Sequence, residues 1–333
     1  MSARLKNADY FLVISAIVFL LGAPFIGVLD IDFAQLFDFS AENVNAQVFW
    51  SLRIPRVVAG FLIGAALALC GVTFQALFHN PLASPFTLGV SSGAACGVAI
   101  SVVCGFSLPF AGISPHSLAA LLGALLTIVL VHTAGRNRLG LSGVSMLLVG
   151  VIINFFFGSI VVFLQYLSDL TQLFSLMRWL MGSLEIVGIE GILPLFVATI
   201  VTLIWLVGKS QELDIISLGD DLARARGVAV KEIQQKIFLA SSVLIALAVT
   251  LAGPIGFIGI VVPHAVRLLF GPHHRGLLLR SALLGGVMVV CCDSIGRVIM
   301  PPAEIPVGVI TSLIGAPLFV AILISKRSGQ IFR

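Results

Sequence analysis

Charge is scarce in this sequence. Only 10% of its 333 residues are Asp, Glu, Lys or Arg, while 59% are hydrophobic. A soluble domain carries roughly 25% charged residues, so a soluble globular fold is excluded. The mean hydropathy of +1.14 indicates an integral membrane protein. No long polar linker divides the chain, and residues 1–333 read as a single transmembrane domain. The five cysteines, Cys70, Cys96, Cys104, Cys291 and Cys292, have no C-x-x-C spacing and lie in or beside apolar runs. That argues against a zinc ribbon or a disulfide framework and for buried apolar thiols. The six histidines are scattered and no H-E-x-x-H occurs, so no metal site and no metalloenzyme chemistry is expected. The tract Leu203 to Gly208-Lys209-Ser210 lacks the first glycine of a phosphate-binding loop and follows an apolar run rather than a strand. It cannot cradle a nucleotide in the usual way. Acids are nearly missing from the apolar runs, where only Asp293 lies. An ion-coupled transporter working alone usually shows paired acids or a proton relay there, which makes that class the runner-up. Asp293 stands four residues before Arg297, a spacing that suits an ion pair on one helix face.

What the chain does have is apolar runs. A helix needs about 20 apolar residues to cross a bilayer. Ten runs qualify: 10–29, 57–78, 86–106, 116–133, 144–167, 192–207, 237–252, 255–270, 277–295 and 307–324. The stretch 237–270 is too long for one span and short for two, and Gly253-Pro254 divides it. Arg4 and Lys6 before the first run could mark a signal peptide, but charge placement favours a retained span. With both termini cytoplasmic, fifteen of the nineteen Lys and Arg residues fall inside, leaving Arg53, Arg56, Arg178 and Arg297 outside. The positive-inside rule is then strongly obeyed. The expected fold is an all-α polytopic bundle of about ten transmembrane helices. Gly60-x-x-x-Gly64 and Gly93-x-x-x-Gly97 would let helices approach closely.

One polar island interrupts the apolar text. Residues 216–230 carry Asp220, Asp221, Arg224 and Arg226 and fall on the cytoplasmic side. Ser217 is placed to cap a short helix. The two aspartates then occupy the first turn and the arginines the last, as the helix dipole favours. Gly227 suits a left-handed stop. The segment reads as a short helix outside the bilayer, either a solvated connection or a dock for a soluble partner. Arg53, Arg56 and Arg297 read as interfacial anchors or as a cationic rim for an acidic partner. Met177, Arg178, Trp179 and Met181 sit at an outer end, placed to face a passing ligand, and Arg178 reads equally as a headgroup anchor.

Four segments, Arg53–Ala94, Ser217–Val228 (SLGDDLARARGV), Ala252–Arg275 and Glu304–Phe319 (EIPVGVITSLIGAPLF), carry a resemblance. Together they make the chain similar to permease subunits of the ABC importers for iron-siderophores, haem and cobalamin, the FecCD type of type II importer. The resemblance spans roughly Leu52 to Ile324. It implies a multi-pass protein of the bacterial inner membrane, ten helices per subunit and no enzymatic activity in this chain. The implied partners are a second copy, two cytoplasmic ATPases that hold ATP and Mg, and an external binding protein, with no nucleic acid. It implies that Ser217, Leu218, Gly219, Asp220, Asp221, Leu222, Arg224, Arg226 and Gly227 form a coupling helix seated on the ATPase. Arg53, Arg56 and Arg297 match arginines that pair with glutamates of the docked protein. Asn80 and Leu82 match a cytoplasmic gate, with Ser142 and Gly143 at a second constriction. Gly143 stands where other members carry a hydroxyl. On family frequency the cargo is an iron-siderophore, with haem and cobalamin as alternatives. Pro263-His264 matches a family pair, for which a structural role is expected.

Overall fold

The computed structural model describes residues 3–29, 31–32, 35–37, 43–106, 114–137, 140–141, 143–184 and 189–324. Ser142, Arg138, Lys326, Arg327 and Arg333 lie outside them. The elements in order are α1 (Ala3–Gly22), α2 (Val44–Gln47), α3 (Ile54–Leu77), α4 (Val90–Val103), α5 (Pro115–Gly135) and α6 (Gly143–Leu167). Then follow α7 (Leu170–Leu180), α8 (Ile189–Gly208), α9 (Ser210–Ile216) and α10 (Asp220–Ala225). The chain closes with α11 (Val230–Ala252), α12 (Ile258–Phe270), α13 (His274–Val298) and α14 (Val307–Ile324). Two-residue strands β1 (Arg136–Asn137) and β2 (Gly140–Leu141) pair as a small antiparallel turn between α5 and α6. Among the described residues, seven helical stretches are long and apolar enough to cross a membrane, and three shorter apolar helices accompany them. All ten expected runs are thus helical.

In an 18-residue apolar window of Val44–Leu77, 89% of the residues are buried, against 17% in such a window of Ser145–Leu167 in α6. So α3 is the axis of the bundle and α6 lies on its periphery. Between α2 and α3 the chain takes a π-helical turn over Val48–Arg53. Pro55 follows it at the start of α3, where its missing N–H leaves the preceding carbonyls to longer bonds. The break in 237–270 falls at Gly253, whose φ of +68° ends α11. An irregular connection through Pro254 follows until Phe257, in the left-handed region at φ +66°, opens α12.

Small residues set the helix crossings. A Cβ on Gly64 would overlap the backbone of Gly285 and Gly286, so α3 and α13 meet backbone to backbone. A Cβ on Gly97 would overlap the carbonyl of Ala119 across the α4–α5 contact. Gly64→Val is expected to lower stability by about 3 kcal/mol or more, the upper range for overpacking. Gly208→Ala, with nothing within 4 Å of the added carbon, serves as the control. Thermal unfolding of both in one detergent checks the contrast.

Candidate functional site

The polar island folds as expected in outline. Asp220 and Asp221 fill the first turn of α10, Arg224 its last, and Gly227 takes φ +81°. The cap differs. Ser217 closes α9 in right-handed geometry and its Oγ donates to the Asp214 carbonyl at 2.8 Å. It therefore cannot cap α10. Gly219, at φ +124°, makes the corner instead, a conformation that favours glycine. Arg224 Nη1 donates to Asp221 Oδ1 at 2.9 Å, and its Nη2 stands 3.8 Å from Asp220 Oδ2. Gln234 Nε2 of α11 donates to Asp220 Oδ1 at 3.1 Å. Ile216, Ala223 and Val230 form a small separate core that seats α10 on its neighbours. Leu218 and Leu222 remain exposed, at 65% and 41%. The result is a polar segment, a turn and a short helix each carrying one unburied leucine, held outside the main apolar bundle.

A carboxylate that sequence reasoning passed over anchors this island. Asp214 Oδ1 accepts from the His274 backbone N–H at 2.8 Å and lies 2.7 Å from its Nδ1. Burial pushes the Asp214 carboxyl up, but the His274 hydrogen bonds outweigh it and hold the carboxyl below its ordinary value. His79 Nε2 lies 2.7 Å from the Ile216 carbonyl oxygen. The signal available in the sequence was only a lone Asp and a His pair sixty residues apart.

The opposite end holds the arginines. Arg53 and Arg297 do not stand on an exposed rim as expected, nor do they snorkel. They are 7% and 4% exposed. Arg53 donates to the carbonyls of Pro24 and Leu29, and Arg297 to that of Ile26 at 2.7 Å. The loop after α1 needs donors for its free carbonyls, and a buried guanidinium supplies several at once. Asp293 pairs with Arg297 Nε at 3.1 Å, as the spacing implied, and also takes Arg56 Nη2 at 2.8 Å from α3. Arg56 Nη1 reaches Glu304 at 2.7 Å. Arg53, Arg56, Arg297 and Glu304 line a cavity of about 1060 Å³, together with Arg178 and Met181.

Asn80 and Leu82 form one tight turn after α3, with Asn80 Oδ1 accepting from the Leu82 N–H at 2.9 Å. Leu82 is exposed. Gly143 packs beside this turn, and a Cβ there would lie 3.1 Å from Phe78 Cα. A side chain at position 143 would therefore require the Phe78 segment to give by a few tenths of an ångström. Met177, Arg178 and Met181 line a cleft of about 630 Å³ along α7. Trp179 does not join them, because it packs half-buried against the core. His264 is fully buried, edge-on to Phe319 at 6.0 Å between centroids. Half-buried Arg267 donates to Gln75 Oε1 at 3.1 Å, a contact the sequence did not announce.

The fold and these two polar ends define a multi-pass membrane permease of the ABC-importer type. The FecCD transport family model matches residues 12–325, and the chain belongs to that family. It is 36% identical over 321 residues to the hemin transport system permease HmuU of Yersinia pestis, covering 96% of both chains. It is 40% identical over 321 residues to the vitamin B12 import permease BtuC of Vibrio vulnificus, covering 96% of this chain and 92% of that one. A solved inward-facing ABC transporter, described as of metal-chelate type, superposes with a TM-score of 0.84 at 31% identity, covering 96% of this chain and 99% of that one. An ion-coupled carrier working alone is set aside by this membership.

Proposed function

We propose that this chain, as a homodimer in the bacterial inner membrane, imports a metal chelate handed over by an external binding protein, with ATP hydrolysed by two separate cytoplasmic subunits. Both termini and the 216–230 segment face the cytoplasm, in keeping with the positive-inside rule. The observation that carries the reading is α10, a charged helix outside the bundle with Leu218 and Leu222 uncovered. A permease working alone has no use for such a seat. Closure of the ATPases would push on this segment and re-angle the helices around the path. An apolar cleft of about 690 Å³ runs between Phe86, Met181, Phe257 and Leu313. Faced by a second copy, it would form part of a central path with few strong contacts, which lets a bulky cargo leave. Co-purification from mild detergent with intact-mass measurement tests the assembly: two copies of this chain with two ATPases are expected, and this chain repeatedly alone would overturn the reading.

The cargo reading is an anionic chelate, an iron-siderophore first. Four arginines against Asp293 and Glu304 give the outer mouth a positive balance. Haem is the second reading, favoured by Met177, Met181 and Phe174 beside Arg178 in the α7 cleft. Arg178→Ala is expected to slow uptake of either anionic cargo several-fold and to leave a neutral chelate such as cobalamin untouched. Competition among the three in whole-cell uptake reads this directly.

Docking of the external protein is assigned to this mouth, with Arg56 as its most accessible contact of the three docking arginines. Glu304, itself 36% exposed, then stands where a glutamate of the docked protein would compete. Glu304→Gln is expected to tighten docking by up to about fivefold, the scale of one partly exposed ion pair. Weaker or unchanged docking, measured on purified components, would assign Glu304 and Arg56 to folding alone.

A further inference from the structure

The contacts that root the coupling segment come from the ends of two helices whose far ends hold the outer mouth. His274 opens α13 and is 3% exposed. An ionised Asp214 only accepts hydrogen bonds, so the His274 Nδ1 at 2.7 Å carries the proton. His79 follows α3, and the Ile216 carbonyl at 2.7 Å likewise makes its Nε2 a donor. His79 sits at φ +47°, a conformation costly for a residue with a side chain and kept only where neighbours enforce it. The last turn of α9 is therefore gripped from both α3 and α13.

Those two helices are packed as one unit. They touch backbone to backbone at Gly64, Gly285 and Gly286. Each has 24 or 25 residues, about 36 Å of rise. At the far end Arg56 of α3 and Asp293 of α13 are ion-paired at 2.8 Å. By contrast, α9 and α10 have seven and six residues, too short to be stiff alone. A push on α10 would be absorbed at the Gly219 corner unless α9 were anchored.

Building on the ATPase seat argued above, we propose that Asp214, His274 and His79 form a rigid joint that delivers movement of the coupling segment to the α3–α13 pair, and through it to the outer mouth. His274 and His79 are positioning residues in this scheme. The joint explains why a buried imidazole is spent on a carboxylate outside the bundle.

The test uses the full complex in lipid nanodiscs, with ATP hydrolysis measured with and without the external binding protein. His274→Leu removes the ring donor. It is expected to keep the ATPase bound and the basal hydrolysis little changed, and to cut stimulation by the binding protein roughly fivefold or more. His274→Asn, which returns a donor near the Nδ1 position, is expected to restore most of that stimulation. Full stimulation in His274→Leu, or no rescue by His274→Asn, would overturn the joint. If His274→Leu fails to assemble, His79→Phe decides: lost stimulation supports the joint and retained stimulation overturns it. A wild-type chain that never retains an ATPase would instead overturn the importer assembly itself.

Discussion

Uptake falls by more than roughly tenfold when Asp220→Lys is combined with Arg224→Glu, while the protein still folds and inserts. The size of the loss follows from placing like charges against an interface built for the opposite pattern, which costs several kcal/mol where a tenfold change is 1.4. The fold is spared for local reasons. The swapped pair keeps an ion pair at the 220–224 spacing, now 3.8 Å between Arg224 and Asp220, and the Arg224–Asp221 contact that is lost involves a fully solvated carboxylate, which water screens. Gln234, which donates to Asp220, can turn its amide and accept from a lysine. The lost dipole complement costs about 1 kcal/mol at each helix end. The Ile216, Ala223 and Val230 core that seats α10 is untouched. Uptake in whole cells, alongside the amount of chain inserted, measures both halves. Normal uptake would remove the coupling assignment.

Asp293→Ala destabilises the protein by about 3–5 kcal/mol, the cost of stripping a buried ion pair of one partner. Asp293 is 3% exposed and faces Arg56 and Arg297 together. Its removal leaves Arg297, 4% exposed, with its carbonyl partners but no neighbouring carboxylate on its own helix. Asp293→Ala with Arg297→Leu is expected to recover only part of the loss, because it removes the unpaired charge but also strips the Ile26 and Ala23 carbonyls of their donor. Unfolding in one detergent, followed by tryptophan fluorescence or calorimetry, gives the ranking. Equal stability of Asp293→Ala and the parent chain would mean that the cluster contributes nothing net.

Much of this protein was legible in the sequence because the signals are local. Each apolar run declares its own helix, since a bilayer leaves backbone groups no other partner. Gly253-Pro254 declared the break between α11 and α12, and Gly227 its left-handed corner. The order of charge in 220–226, acids first and bases last, declared a short helix apart from the apolar runs. Asp293 and Arg297 declared a pair from their spacing alone. The Ser217 cap misled because Ser217 was already spent at the end of α9, and a cap signal says nothing about which of two adjoining helices it serves.

The role of each outer arginine was beyond the sequence. Arg53 and Arg297 look alike there, as isolated cations beside apolar runs. Only the folded chain shows both turned inward onto carbonyls of residues 23–29, and Arg56 joined to Asp293 across 237 positions. Trp179 and Met181 are near neighbours in sequence, yet one packs inward and the other lines the cavity. Local signals carried the membrane class, the helix runs and the charged island. Tertiary structure alone decided which polar groups meet, including Asp214 with His274. The physical reason is that hydrophobicity and turn chemistry act over a few residues, whereas the partner of a buried charge is chosen by whichever distant helix packs beside it.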